Sequence, residues 1–313
     1  HAALVARGWG KCCIVGCEAM HIDLENKEIK FKGSDKVYHE GDVLSINGAK
    51  GAVYDVAIET MDASDNPRFQ QFMAIVDKFR TMGVRTNADT PEDAARAISF
   101  GAEGIGLFRI EHMFYGQNAE TPLSKLRKMI LAETDDERKA ALAELEPFIK
   151  AAVKGTMKVM DAKPVTFRLL DPPLHEFVPQ TELKKNELAE ELHITVGEIE
   201  KRGESLHEVN PMMGHRGVRL HITYPMISET QFRAIFTAAA ELKNEGFDPK
   251  PEIMVPVTIS DRELRFQKAI CEKIRAEVEA EFGFEIEYMF GTMIEIPRAA
   301  LTADRMAKTA EFF

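Results

Sequence analysis

Four side chains in this sequence stand where chemistry is usually done: Arg109, Arg168, Arg216 and Glu295. Arg109 closes the apolar run Gly104-Ile-Gly-Leu-Phe-Arg, and Arg168 lies in Val165-Thr-Phe-Arg-Leu-Leu-Asp171. Arg216 follows Asn210-Pro-Met-Met-Gly-His215, and Glu295 ends the run Tyr288-Met-Phe-Gly-Thr-Met-Ile. Taken singly, each is an ordinary surface charge. Together, at the ends of separate strand-like runs, they demand partners or a ligand, because charges gathered in a cleft are costly unless compensated. Guanidinium forks match carboxylate and phosphate oxygens and stay charged when desolvated. A carboxylate beside them would cancel their field unless it held a hard cation, and Mg2+ commonly takes one or two protein carboxylates plus water and substrate oxygens. The constellation therefore points to a phosphorylated or dicarbonyl acid chelated to magnesium. Glycines 104, 106 and 291 permit close backbone approach, although Gly104-Ile-Gly is not a dinucleotide-binding fingerprint.

His1 is a fifth candidate. It precedes the helix-forming Ala-Ala-Leu-Val-Ala-Arg7. Free amides and the dipole at a helix start would stabilise a phosphate carried on its imidazole, but histidines occupy such positions for other reasons too.

The composition bounds the rest. The chain has 313 residues, 45% hydrophobic and 29% charged, enough for one large barrel or two domains. A formal charge of -11 argues against broad association with nucleic acid or anionic membrane. The sequence shows no bilayer-length apolar run and no leader, so it reads as soluble and cytoplasmic, with a plastid or glycosome also compatible. The cysteines at 12, 13, 17 and 271 form no C-x-x-C pair, and Cys12-Cys-Ile-Val reads as a strand with buried thiols.

Those four charges need a scaffold, and the chain supplies two grammars. Residues 1–57 read as a small β-rich unit, with a short helix, a strand at 12–15, and runs at 43–46 and 52–57 bounded by turns at Gly41-Asp42 and Asn47-Gly48. Residues 58–82 read as a linker and a helix opened by Pro67. From 83 to 313 apolar runs alternate with amphipathic segments, giving expected strands at 84–87, 104–110, 165–170, 217–222, 253–257 and 288–294. Helix starts are expected at Thr90-Pro-Glu-Asp93, Ser228-Glu-Thr-Gln231 and Ser260-Asp-Arg-Glu263, and helix ends at Gly101 and Gly246. Such alternation predicts an α/β fold with a parallel sheet, either an incomplete (β/α)8 TIM-type barrel or a shorter open sheet. The polar stretch 171–213 would build the rim of the site.

Several of these stretches resemble the pyruvate, phosphate dikinases of the phosphoenolpyruvate (PEP)-utilising family. They are His1-Ala-Ala-Leu-Val-Ala-Arg-Gly, Gly104-Ile-Gly-Leu-Phe-Arg-Ile-Glu-His-Met-Phe114, Arg168-Leu-Leu-Asp-Pro-Pro-Leu-His-Glu-Phe177, Asn210-Pro-Met-Met-Gly-His-Arg-Gly217 and Gly291-Thr-Met-Ile-Glu-Ile-Pro-Arg298. The resemblance implies that residues 1–57 are the trailing part of a β/β/α swivelling domain with His1 as phosphoryl carrier. It implies that the barrel binds pyruvate or PEP through Arg109 and Arg168, with Arg216 as a further site arginine, and that Glu295 binds Mg2+ and substrate. It further implies ATP and phosphate as substrates at a domain absent here, and a homodimer of the full-length protein. An acid/base cysteine and a second magnesium carboxylate are expected beyond residue 313, so Cys271 is not assigned that role, and the chain alone is expected not to turn over. PEP synthase, an enzyme I-like phosphocarrier and a non-catalytic PEP-binding barrel are the competing readings. Phe108 and Ile110 are expected to be packing variants around Arg109.

Overall fold

The computed structural model describes residues 2–8, 11–60, 66–115, 119–179 and 181–313. His1 lies outside the described residues. The chain divides into two compact units, His1–Arg80 and Thr81–Phe313.

The first unit opens with α1 (Ala2–Gly8). An antiparallel sheet follows, of β1 (Met20–Asp23), β2 (Glu28–Phe31) and β3 (Val37–His39), in that order. The Asp23 carboxylate ties the first turn by accepting from the amides of Glu25 and Asn26, both at 3.0 Å. A two-stranded ribbon, β4 (Ser45–Asn47) with β5 (Ala52–Tyr54), turns at the expected Asn47-Gly48. No strand forms at 12–15: this short run has no alternation and finds no ladder partner. Cys12 is exposed rather than buried, its sulfur accepting from the Gly48 amide at 3.2 Å. Helix α2 (Pro67–Phe79) starts as proline at the first helical position implies, with the Asn66 side chain accepting from the Arg68 amide at 3.0 Å.

In the second unit the elements alternate. The chain runs β6 (Thr86–Asn87), α3 (Pro91–Ser99), β7 (Ile105–Arg109), α4 (Glu120–Leu131), α5 (Asp135–Met160) and β8 (Pro164–Arg168). It continues through α6 (Glu182–Leu192), α7 (Val196–Leu206), α8 (Gly217–Thr223), α9 (Pro225–Asn244), β9 (Lys250–Val255) and α10 (Asp261–Phe282). It ends with β10 (Met289–Thr292), α11 (Pro297–Leu301) and α12 (Ala303–Met306). The strands make one five-stranded sheet in the order β10-β9-β8-β7-β6, every neighbour parallel. This is an α/β fold. The order runs one way with no reversal, which is the order of a barrel wall rather than of a doubly wound sheet.

Period-two alternation divides the sheet into two faces. Phe108, Val165, Phe167, Ile253, Val255 and Phe290 are almost fully buried on the face against which α5 and α9 pack. Phe108 and Phe167 meet edge to face at 5.2 Å. Burying side chains of this size contributes roughly 1.5–3 kcal/mol each, so this face holds the unit together. Phe108 and Ile110 are packing residues, as expected. The opposite face carries Thr166 and Arg168 on β8, with Glu252 and Met254 beside them on β9. A bulge in β7 matters here: Ile105 pairs with Val165 but Phe108 with Phe167, so one extra residue brings Arg109 level with Arg168.

The expected strand at 217–222 is instead α8, so the described sheet has five strands and not six. Gly217 enters at φ +52°, a left-handed turn in which a Cβ would meet Val257 Cγ2 at 2.7 Å. Short apolar runs read equally as strand or buried helix, and Val218, Leu220 and His221 form the buried face of a helical turn. Two expected caps hold, with Thr90 accepting from the Asp93 amide at 3.1 Å and a reciprocal Ser260–Glu263 box. Gly101 and Gly246 take the left-handed backbone expected of helix ends, at φ +87° and +91°. Ser228 caps nothing, because α9 has already begun at Pro225, and its hydroxyl donates to the Pro225 carbonyl at 3.0 Å. After α12 the chain returns to the edge of β10, where Glu311 donates to the Phe290 carbonyl at 2.8 Å. Gly291 serves that return, since a Cβ there would lie 2.5 Å from the Phe312 carbonyl oxygen. Gly104 and Gly106 likewise make room for Pro164 and Arg85 of the chain itself and not for a ligand. Among the described residues no helix is long and apolar enough to cross a membrane.

Candidate functional site

Arg109 and Arg168 are the last residues of adjacent parallel strands and are direct register partners. The C-terminal ends of such strands open onto loops, where ligands meet this class of sheet. Both side chains are mostly buried, with 30% and 13% exposure. Each is held by a dedicated acid. Asp89, in the loop after β6, accepts from Arg109 Nη2 at 2.7 Å and Nε at 3.4 Å, and also from the Arg109 amide at 2.9 Å. Its Oδ2 meets His112 Nδ1 at 2.9 Å as well. Glu111, in the 3-10 turn that follows β7, pairs with Arg168 Nη2.

Arg216 precedes α8 rather than ending a strand. Its Nε and Nη2 donate to the two oxygens of Asp171 at 3.1 and 2.7 Å. Asp171 lies 3.5 Å from Arg168 Nη1 too, so one buried carboxylate links two of the arginines. Glu295 comes three residues after β10, exposed, with its Oε1 accepting from the Val257 amide at 2.7 Å. Val257 lies in the β9–α10 loop at φ +61°, an uncommon conformation for a β-branched residue. The neighbouring Pro256 carbonyl accepts from the Val218 amide at 3.2 Å, so this loop ties the start of α8 to Glu295.

The electrostatics follow from burial. Desolvation pushes the Glu111 carboxyl above its usual range, with Asp171 adding to the push and Arg168 opposing it. Desolvation lowers His112, helped by the positive charges of Arg109 and Arg168, and Asp89 pulls the other way. Burial works against the charge of Arg216, but the Asp171 pair and the nearby Glu295 outweigh it and raise its pKa. Glu111 Oε2 and Arg168 Nε are buried with no hydrogen-bond partner among the described residues. Such groups are costly, and they mark places where a polar ligand or water completes the set. Arg109 and Arg216 both spend Nε and Nη2 on protein carboxylates, which fixes each fork and leaves Nη1 for a ligand oxygen.

Two comparisons bear on identity. Residues 64–313 match the family model described as PEP-utilising enzyme, PEP-binding domain, and residues 1–51 match PEP-utilising enzyme, mobile domain. The chain belongs to the PEP-utilising enzymes. Within this family it is similar to pyruvate, phosphate dikinase of Clostridium symbiosum, at 49% identity over all of the chain and 35% of that protein. The Giardia intestinalis pyruvate, phosphate dikinase is 47% identical over the same shares. The chloroplastic pyruvate, phosphate dikinase 1 of Arabidopsis thaliana is 48% identical, with 32% of its length covered. The chain thus spans about a third of the length of these relatives.

The sequence pattern singles out these arginines but not the acids that pair with them. Glu111 and Asp171 lie close to the arginines in sequence, two residues after Arg109 and three after Arg168, whereas Asp89 has no such local signal. Cys271 is 0% exposed in α10 and its thiol is pushed far up by burial. A cavity of ≈590 Å³ lined by Arg85, Pro164, Glu252, Tyr288 and Met289 opens at the N-terminal ends of the strands, away from these arginines.

Proposed function

We propose that Thr81–Phe313 carries the pyruvate/PEP half-reaction site of a pyruvate, phosphate dikinase, with Arg109, Arg168, Arg216 and Glu295 as its substrate-facing residues. The observation that carries this reading is the register pairing of Arg109 with Arg168 at two adjacent strand ends, each fork braced by its own acid. Braced guanidiniums cost little reorganisation when charge develops on a bound oxygen, which is how preorganised dipoles lower a barrier. Phosphoryl transfer needs such positioning, because the N–P bond of a phosphohistidine breaks as an O–P bond to an enolate oxygen forms.

The donor set fits magnesium. Asp89, Glu111, Asp171 and Glu295 outnumber the three guanidiniums, so an anionic substrate gains from a divalent cation arriving with it. Among the described residues no cluster of three or more acids, histidines or cysteines could hold a metal alone. From this chain a Mg2+ would take the carboxylate of Glu295 together with water and substrate oxygens. When bound, the ion would polarise the carbonyl that becomes the enolate. Glu295 is already oriented by the Val257 amide on one oxygen.

The remainder of the proposal is what the resemblance implies. Residues 1–57 would be the trailing part of the swivelling domain, with His1 carrying the phosphoryl group between a site for ATP and phosphate and the arginines. Residues 58–82 would link it to the PEP-binding unit. A homodimer and a cytoplasmic or plastid location belong to the same reading.

Calorimetric titration of the full-length protein with PEP and Mg2+ tests the site: wild type should bind, and Arg168→Ala should not. Product analysis tests the reaction. Pyrophosphate formed only when phosphate accompanies ATP and pyruvate supports the dikinase, whereas AMP and phosphate formed without added phosphate would assign the protein as a PEP synthase. Unchanged binding in Arg168→Ala would remove the site proposal.

A further inference from the structure

Asp89 does two jobs with one oxygen. Its Oδ2 accepts from Arg109 Nη2 at 2.7 Å and meets His112 Nδ1 at 2.9 Å, so the arginine fork and the imidazole share an anchor. Asp89 itself is only 14% exposed, and the His112 side chain is 37% exposed. The ring is fixed further by Tyr115, edge-on at 6.1 Å, which in turn stacks on Phe177 at 5.8 Å. A carboxylate on Nδ1 selects the tautomer with the proton there, leaving Nε2 as the free lone pair. Among the described residues Nε2 has no hydrogen-bond partner.

The charges around this ring come from four places. Asp89 faces it from the β6–α3 loop, Arg109 from the end of β7 and Arg168 from the end of β8. Glu111 and Tyr115 belong to its own turn, and Glu176 of the following insertion acts on Tyr115. With the site free of ligand, two guanidiniums and burial oppose a proton on His112, and one carboxylate favours it. An anion seated on Arg109 and Arg168 would cancel their field and add its own negative charge to that of Asp89, so that burial alone still opposed the proton.

We propose that His112, held by Asp89, is a positioning residue of the site that takes up one proton from solvent at Nε2 as an anionic ligand settles on the arginines, and so adds an N–H donor. This deepens the reading of the site as one for PEP and pyruvate and rests on it. The imidazole then reports ligand charge and helps orient the anion while forming no covalent bond. Because the donor exists only after protonation, ligand affinity should rise as pH falls.

The test uses oxalate with Mg2+ on the full-length protein, since oxalate stays a dianion from pH 6 to 8 and brings no titration of its own. Calorimetry at pH 7 in buffers of different ionisation enthalpy should show uptake of about half a proton or more per oxalate, as for a histidine carried across ambient pH. Affinity should fall severalfold, up to about tenfold, per pH unit, the limit for one linked proton. His112→Asn keeps an N–H toward Asp89 but cannot titrate. It should bind oxalate with no proton uptake and a flat pH profile, and a circular dichroism melt near that of wild type would show that it folds. Binding by wild type without proton uptake overturns the inference and leaves the site intact. Equal uptake in His112→Asn also overturns it. Absence of any oxalate binding by wild type removes the functional reading and the inference together.

Discussion

The face of the sheet opposite α5 and α9 carries arginine–carboxylate pairs at both ends, and the two ends are built differently. Near the N-terminal ends of the strands Arg85 Nη1 donates to Glu252 Oε2 at 2.5 Å, and Thr166 donates to the same oxygen at 2.7 Å. That cluster is one cation, one anion and one hydroxyl, with Glu252 4% exposed. Two residues further along the same strands, at the register of Arg168 with Met254, the charges multiply. There Asp171 serves two arginines, Asp89 serves an arginine and a histidine, and Glu111 Oε2 and Arg168 Nε lack partners among the described residues. A pair that is complete has nothing left to offer a ligand, whereas an incomplete network does. The difference separates charge used to hold the fold from charge kept for chemistry.

The largest test removes a charge from the open end. Arg168→Ala is expected to lower kcat/KM for pyruvate in the full-length protein by a factor of about 100 to 1000, the range seen when one preorganised donor to a developing oxyanion is lost. The matching change at the other end is Arg85→Met, which leaves Glu252 buried with Thr166 alone. It should cost about 1 kcal/mol in urea unfolding, because Arg85 is 42% exposed and water screens the pair even though Glu252 is buried, with oxalate affinity within about threefold of wild type. If Arg85→Met weakens oxalate binding as much as Arg168→Ala does, the distinction between the two ends collapses.

How much of this contrast was legible in the sequence depends on whether the signal is local. Arg109 and Arg168 could be found because an arginine closing one apolar run and lying inside another is visible within six residues. The sheet could be anticipated because Ile105, Val165, Ile253 and Phe290 recur in strand-like runs between helical ones. The bracing acids could not be assigned, since Asp89 reaches Arg109 across twenty positions and Asp171 reaches Arg216 across forty-five. The stretch 217–222 misled for a different reason. Its helix is imposed by the left-handed turn at Gly217 and by packing against Val257, neither of which leaves a mark on the apolar pattern.

A smaller effect comes from His221, which lies behind the open end. It is 0% exposed, its carbonyl accepts from Gln267 at 3.2 Å, and desolvation lowers its pKa to about 4, with Asp171 pulling only weakly the other way. A histidine whose folded pKa lies below its unfolded value supports the fold above the unfolded pKa, and that support drains away as pH falls toward the folded value. Between pH 7 and pH 5 about 2 kcal/mol should therefore be lost through this residue, from the difference between an unfolded pKa near 6.5 and the depressed one. His221→Gln should flatten that part of the stability–pH curve measured by urea unfolding, whereas no such flattening is expected from Arg85→Met.

The smallest change sits between holding and chemistry. Val257 takes φ +61° although it is β-branched, and it stays there because its amide is spent on Glu295 and its side chain is packed against Gly217. Strain of this kind costs of order 1–3 kcal/mol. Burying the valine, 4% exposed, returns about the same amount. Val257→Gly should therefore leave unfolding free energy within about 1 kcal/mol of wild type, the relief of strain offsetting the lost packing. What it does remove is the restriction on where the amide points. If Glu295 serves Mg2+ only when that amide aims it, the variant should need several times more Mg2+ for half-maximal oxalate binding while melting normally. A normal Mg2+ requirement would place Val257 with Arg85, among the residues that only hold the fold.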